Sequence, residues 1–442
     1  MTAANRPELV RSLGRWSMAA LVLNGIIGSG VFVLPGTLGG RLGWASLAAW
    51  AIAAALTAAM IFCFAEVASR FSGSGGAYVF TQVAFGSFVG LLVGWLGYFV
   101  RAISAAVQAN LFSTYLAEFL PWAGTRLGGV VVTTGFIGLL AVVNVRSVVS
   151  GARVSNVFAV VKVAPLLAFG ALGVAWIASG RTGLAPVATD SSVGDWLQAL
   201  LLLMFAYGGF EAAVIPLAEA KDPRRDAPFA LLVGLALVTT VYLAAQVTVL
   251  ATLQDPDATN RPLAGSARVM LGAAGAAIIT VAALLSVSGW LATNMLAVPR
   301  LSMAMAERGD FPAVLARVHP TFRTPWVSVI VFAALGWVLA NQAGLLQNLS
   351  LSAVSRLFVY GLVCAALPVL RAKEGRASSE AGPALFKAPF GNALAAIGVG
   401  ASIVLVARMS MREAATMGVL LAAVGVQWLV ARGRGARSDA VT

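Results

Sequence analysis

Apolar segments of about 20 residues recur from one end of the chain to the other, and they restrict its fold more than any other feature. The 442 residues are 60% hydrophobic and 11% charged, with a mean hydropathy of +0.89. No soluble core of this size needs so much apolar surface. We read twelve membrane spans: 16–38, 44–69, 84–116, 127–145, 154–178, 195–218, 228–252, 269–299, 325–341, 349–370, 391–407 and 414–431. The sequence therefore predicts an all-α integral membrane protein.

The positive charges are distributed unevenly between the two sides of this topology. If the N-terminus is cytoplasmic, twenty of the thirty Lys and Arg residues fall in inner loops or tails, seven in outer loops and three within spans. This bias predicts that both termini are cytoplasmic. The net charge of +13 is thus explained by topology, and we expect no nucleic-acid partner. The chain has one histidine, in a polar loop, and two cysteines, both inside apolar segments, so no metal site is expected.

The first span contains an unusual glycine-rich stretch. Gly28 and Gly30 flank Ser29 in the middle of the apolar segment, and Gly25 lies four residues before Ser29. A helix that unwinds there must direct its freed N–H and C=O groups away from lipid, and in transporters these groups hold a substrate or an ion. The alternative is close helix packing through small residues.

A second interruption occurs in the sixth span, where Gly208 and Gly209 precede Glu211. Two interrupted helices, each first in a set of five, are the pattern expected of an inverted repeat with a central binding site. Helix N-termini suit a carboxylate, and freed carbonyls suit an ammonium group. A zwitterionic α-amino acid carries both charges. Plain packing remains the alternative here too.

Five segments carry a family pattern, in order along nearly the whole chain: 28–32 with 35–36, 66–78, 205–211, 219–225 and 304–312. On these segments the chain resembles the amino acid–polyamine–organocation family. One departure is Ser72, where many relatives carry proline. The resemblance implies a LeuT-type fold of 12 transmembrane helices, a 5+5 inverted repeat with broken helices 1 and 6 plus two extra helices.

The resemblance also implies a domain organisation and a function. The expected parts are a cytoplasmic N-terminal segment (1–15), a first repeat (16–178), a second repeat (195–370), a cytoplasmic linker (371–390), the last two helices (391–431) and a cytoplasmic tail (432–442). We expect a secondary active amino acid permease of the inner membrane, not an enzyme, which takes up neutral amino acids with protons by alternating access. The proton would be the coupling ion and no cofactor is expected; the protein would be a monomer or homodimer in the bilayer. An exchanger of amino acids or polyamines and a non-transporting amino acid sensor are the alternatives.

In such transporters the main chain of both broken helices binds the substrate. The implied carboxylate donors are the N–H groups of Ser29, Gly30 and Val31. The α-amino group would meet carbonyls at Ile26, Ile27, Phe205 and Ala206, beside Gly208. The aromatic residues Phe205, Tyr207 and Phe210 are candidates to cover the site; ordinary lipid or helix contact is the alternative for them.

Lys162 is the most informative ionisable residue. It lies nine residues after Arg153, which places it roughly 13 Å deep along the fifth span, too far for easy snorkelling. Several relatives carry a lysine at the matching position, so the resemblance implies proton coupling, with Ser286 and Ser288 of the eighth span lining the same site. The alternative is a structural lysine bonded to carbonyls of the first helix.

Three further charges fall within or beside spans. Arg101 lies mid-helix in the third span and Glu211 follows the second break, and a charge at such depth is by default a functional hypothesis. Either the two residues are partners, or Arg101 faces the substrate and disfavours cationic side chains. Arg356 in the tenth span would be a cytoplasmic gate residue or a plain helix-lining one.

Overall fold

Helices that closely follow the apolar segments make up most of the described chain. A computed structural model describes residues 14–71, 76–146, 152–181, 191–211, 223–374 and 381–439. The α-helices of these residues are α1 (Arg15–Ile26), α2 (Gly30–Leu42), α3 (Ser46–Ala68), α4 (Gly76–Phe85), α5 (Ser87–Leu116), α6 (Arg126–Arg146), α7 (Ala152–Ala178), α8 (Val193–Ala206), α9 (Pro223–Thr252), α10 (Pro262–Glu307), α11 (Trp326–Gln342), α12 (Leu345–Ala372), α13 (Gly391–Val406) and α14 (Met411–Asp439). Three parts of the predictions lie outside the described residues: 1–13, Ser72, and residues 219–222 of the matching segment 219–225.

The number of membrane spans is supported only in part. Six helices of the described residues are long and apolar enough to cross a bilayer, or seven if α13 and α14, which are bent by 116° relative to each other, form one span. Breaks interrupt the predicted first and sixth spans: α1 has 12 residues, α8 has 14, and α2, with 13, counts toward a span only when it is joined to α3. Each half is shorter than the ~20 residues that a full crossing requires. The twelve-span topology therefore stays a prediction.

Local sequence explains where several helices start or bend. Ser192 caps α8: its hydroxyl accepts from the Asp195 N–H, and the Asp195 carboxylate accepts from the Ser192 N–H. This reciprocal pair satisfies two of the N–H groups that every helix start leaves free. Gly272 interrupts α10 with φ 69° and ψ −158°, close to the start of the predicted eighth span at residue 269.

The helix α4 was not expected from the apolar pattern. It lies between the second and third predicted spans and packs against α5 and α12. The Tyr78 hydroxyl on α4 donates to the Asp310 carboxylate, 2.8 Å away, just beyond the end of α10. Burial and this acceptor raise the pKa of Tyr78 to about 12, so the phenol keeps its proton at physiological pH.

Helix ends predicted to share the inner side meet in one ionic network. Glu66 is fully buried and accepts from Arg70 at 3.1 Å and from Arg371 at 2.5 Å. Glu66 and Arg70 form an ion pair at a spacing of four residues. The segment 381–390 folds back onto this end, because the Ala388 N–H donates to Glu66 at 2.8 Å. Residues predicted to be on the outer side also meet, since Glu118 is paired with Arg261 and Arg268.

The broken helices lie at the centre of the packing. The helix α1 packs against α7 and α9, and α2 packs against α8, α9 and α10. The long helix α5 contacts α10, α11 and α12. Main-chain groups at the breaks are therefore surrounded by protein, which is the condition for irregular backbone at membrane depth.

Candidate functional site

The two helix interruptions face each other. We call residues 25–30, which include the end of α1 and the start of α2, the first break, and residues 206–211, from the end of α8, the second break. A Cβ atom added at Gly30 would lie 3.0 Å from the Ala206 Cα, and one at Gly209 would lie 2.1 Å from the Gly25 carbonyl oxygen. Gly209 also has φ +112°, a conformation that other residues rarely adopt. Glycine at 209 thus allows the two breaks to touch through their backbones.

Tyr242 on α9 connects the two breaks. Its buried hydroxyl lies 3.2 Å from the Ile26 carbonyl oxygen and 3.1 Å from the Ala206 carbonyl oxygen. These are two of the carbonyls that the resemblance assigns to the substrate α-amino group. Each carbonyl oxygen has two lone pairs, so a second donor can share it with Tyr242. Sequence reasoning missed Tyr242, although a tyrosine in mid-span was a usable signal.

The start of α2 offers free donors beside these carbonyls. Gly30 and Val31 are the first residues of α2, and the first N–H groups of a helix have no intrahelical acceptor. Ser29 precedes them, and its buried hydroxyl has no hydrogen-bond partner among the described residues. Two predicted carbonyl positions remain. Ile27, whose carbonyl stays a prediction, donates its N–H to the Leu23 carbonyl at 2.9 Å, and the Phe205 carbonyl accepts from the Gly208 N–H at 3.1 Å.

Gln108 on α5 is a second residue that the sequence did not single out. Its side chain is 2% exposed, and its amide nitrogen lies 2.8 Å from where a Cβ of Gly28 would be. Its amide oxygen has no partner among the described residues. Buried polar atoms are nearly always hydrogen-bonded. The pair formed by Gln108 and Ser29 therefore marks the first break as a place for a polar ligand.

The three predicted aromatic residues have different surroundings. Tyr207 is buried against Trp50 and donates to its carbonyl oxygen at 3.2 Å. Phe210 packs edge-on against Phe64 and beside a tyrosine of α12. The ring of Phe205 faces a guanidinium group described below. Whether any of them closes the site remains a prediction.

Lys162 reaches the first broken helix from α7. Its side chain is 1% exposed, and its ammonium group donates to the Asn24 side-chain oxygen at 2.7 Å. None of the ion pairs of the described residues involves Lys162. Ser286 is buried with a hydroxyl that has no partner in the described chain, whereas Ser288 is half-buried. The contact that the structure shows for Lys162 is therefore Asn24, not either serine.

The acid of the second break is paired with α12. Glu211 accepts from Arg356 at 2.8 Å on one oxygen, and from Tyr360 at 2.6 Å and the Gly209 N–H at 2.8 Å on the other. Arg101 instead donates to Asn294 at 2.9 Å. Among the ion pairs of the described residues, the partner of Glu211 is therefore Arg356 and not Arg101, because the Arg101 guanidinium is directed at Asn294.

Two cavities extend from the breaks towards the predicted inner side. One, of about 280 Å³, is bordered by Asn24, Gly25, Gly209 and Asn294. The other, of about 240 Å³, continues to Tyr78 on α4. Their shared wall consists of Arg101, Glu211, Leu301 and Arg356. The charged residues thus stand between the breaks and the inner cavity.

Comparison with known proteins identifies the family of this chain. The profile of a family described as amino acid permease matches residues 13–426. The serine/threonine exchanger SteT of Bacillus subtilis is 29% identical over 75% of this chain and 76% of its own length. The methylthioribose transporter of the same organism is 28% identical (87% and 85%), and the large neutral amino acids transporter small subunit 2 of Rattus norvegicus is 30% identical (83% and 71%). This chain is therefore a multi-pass membrane protein that belongs to the amino acid permeases of the amino acid–polyamine–organocation family.

Proposed function

We propose that this permease is a secondary active transporter that takes up neutral amino acids with protons by alternating access. It would have the LeuT-type 5+5 repeat with both termini in the cytoplasm, in the inner membrane. The observation that carries the proposal is the meeting of the two breaks, where the free N–H groups of α2 and the carbonyls of Ile26 and Ala206 lie side by side. These groups complement the carboxylate and the ammonium of any α-amino acid.

The cavities support a route to one side. The two cavities run from Gly25 and Gly209 past Arg101 to Tyr78. In the other direction, Trp50 and Tyr207 are fully buried and in contact. A site open on one side and closed on the other is what alternating access around a central site requires.

Proton coupling is supported by the contact between Lys162 and Asn24. The amine is buried away from carboxylates and touches the last turn of α1, directly before the first break. Because α1 supplies the Ile26 carbonyl to the site, a change of charge on Lys162 would alter the helix that binds the substrate. That link would couple proton binding to substrate binding.

A neutral substrate fits the charges of the cavity. Glu211 is already compensated by Arg356, and Arg101 adds a positive charge whose contact in the described residues is the neutral Asn294. The wall shared by the two cavities thus carries one excess positive charge, which disfavours a cationic side chain.

The test is uptake of a panel of labelled amino acids into proteoliposomes, with and without an inward proton gradient. Wild type should accumulate a neutral amino acid only with the gradient, and Lys162→Ala should lose this dependence. Lys373→Ala is the matched control, because Lys373 donates to the carbonyls of Val83 and Ala84 at the inner end of the fold. Gradient-independent uptake by wild type would reject proton coupling.

An amino acid exchanger is the second candidate. The relative SteT is named an exchanger, and a lysine bonded to the first helix would serve equally well as a fixed structural element. Uptake that requires internal amino acid and ignores the gradient, unchanged in Lys162→Ala, would establish exchange.

A further inference from the structure

We infer that Arg356 is a specificity-determining residue, because its guanidinium fills the position beside Glu211 that the cationic side chain of a basic amino acid would otherwise take. The inference rests on the proposed function and deepens it: the site would accept α-amino acids and reject basic ones through a cation of its own. This role differs from both a cytoplasmic gate and a plain helix-lining residue.

The position of Arg356 is at the second break. Its side chain is 5% exposed, and a Cβ atom on Gly208 would lie 2.8 Å from its Cδ and Nη1 atoms. Its Nη2 donates to the Ser104 hydroxyl on α5 at 3.1 Å. The guanidinium therefore lies between the unwound part of the sixth span and α5, at the wall shared by both cavities.

The groups around the guanidinium form a complete cation site. Glu211 supplies the negative charge at 2.8 Å, and the Phe205 ring centre lies 5.7 Å from the guanidinium carbon. The Tyr360 hydroxyl lies 3.5 Å from Nη1 of Arg356, the nitrogen that also donates to Glu211. A carboxylate, an aromatic face and a hydroxyl are the partners that bind an ammonium or guanidinium ligand. Here a side chain of the protein occupies them.

The same geometry explains why a second cation is excluded. In the described residues Glu211 forms an ion pair with Arg356, so the negative charge of Glu211 is already compensated. A lysine or arginine substrate would bring its positive charge close to Arg356 and Arg101 with no free acid to offset it. Repulsion between unit charges is substantial at such distances in a partly buried site.

Removing the guanidinium should therefore free the site for a cationic ligand. In Arg356→Ala and the larger Arg356→Met, uptake of L-lysine relative to the neutral substrate should rise at least tenfold, and L-lysine should protect these variants against thermal unfolding. The double variant Arg356→Ala/Glu211→Gln should lose the gain, because it lacks the acid. Arg101→Ala is the comparison variant: it also removes a positive charge from the shared cavity wall, but it leaves Glu211 paired with Arg356, so its gain in relative L-lysine uptake should be clearly smaller than that of Arg356→Ala.

Several outcomes would overturn the inference. Wild type that takes up L-lysine, or whose neutral uptake L-lysine inhibits, would reject it even if the Arg356 variants failed to fold. Folded Arg356 variants that keep neutral uptake without gaining L-lysine binding would show that the pair only holds α12 to the second break. If wild type transports no amino acid of the panel, the proposed function fails first, which is a distinct result.

Discussion

The contact between the two breaks can be tested by adding one carbon atom. In Gly209→Ala the new Cβ would lie 2.1 Å from the Gly25 carbonyl oxygen, whereas ordinary contact begins at 3.4 Å. The two backbones would have to separate by roughly 1 Å, which would stretch the hydrogen bonds of Tyr242 to both breaks from their 3.1 and 3.2 Å. Leaving buried carbonyls without their donor costs about 1–3 kcal/mol.

A control separates this contact from backbone strain. Gly209 has φ +112° and Gly86 has φ +97°, but a Cβ at Gly86 meets no atom within 4 Å. Both alanine variants therefore bear a backbone strain of about 1–3 kcal/mol, and only Gly209→Ala also separates the breaks. At about 1.4 kcal/mol per factor of ten, uptake by Gly209→Ala should fall roughly fivefold to a hundredfold below that of Gly86→Ala.

The measurement is the initial rate of uptake of the preferred amino acid into proteoliposomes, normalised to the amount of folded protein. Size-exclusion profiles and thermal unfolding of both variants would show that each is folded. If Gly209→Ala transports within twofold of Gly86→Ala, the close approach of the breaks has no role in the site, and the argument from it is refuted.

Three further predictions concern single hydrogen bonds. Tyr242→Phe removes the donor shared by both breaks, so it should raise the KM for uptake several-fold; an unchanged KM would contradict the bridging role. Asn24→Ala removes the acceptor of Lys162, and gradient-driven uptake should fall more than exchange of internal for external substrate; an equal fall in both would indicate a structural effect only. Tyr78→Phe removes the donor to Asp310 and should lower the melting temperature by a similar amount at about pH 6 and about pH 9, because the pKa of Tyr78 is raised to about 12 and its bond is lost only as the pH rises through that value. A difference that vanishes between these two pH values would contradict this reasoning.

Apolar periodicity was sufficient to place most helices within a few residues. The predicted span 44–69 is α3, Ser46–Ala68, and the predicted span 127–145 is α6, Arg126–Arg146. The glycines also marked both interruptions correctly, because glycine is the residue that allows φ +112° at position 209. The helix α4 was missed because it is a ten-residue helix too short to cross a bilayer.

Side-chain partners were beyond the reach of the sequence. Glu211 and Arg356 are 145 residues apart, and their pairing depends on the relative rotation of α12 and the second break. A deviation of one residue turns a helix by about 100° and would direct Arg356 elsewhere. The contacts of Tyr242 could not be predicted for the same reason. Its place at both breaks is set by the packing of α9 and not by its neighbours in the chain.

The docking of the segment 381–390 bears on whether the chain could be shortened. Ser69 accepts from the Phe386 N–H at 3.2 Å and Glu66 accepts from the Ala388 N–H at 2.8 Å. A chain cut before this segment would lack these donors and would leave the Glu66 carboxylate more exposed to water. The helices α13 and α14 are thus not a detachable module of this permease, since the chain that leads into them completes the ionic network at the ends of α3 and α12.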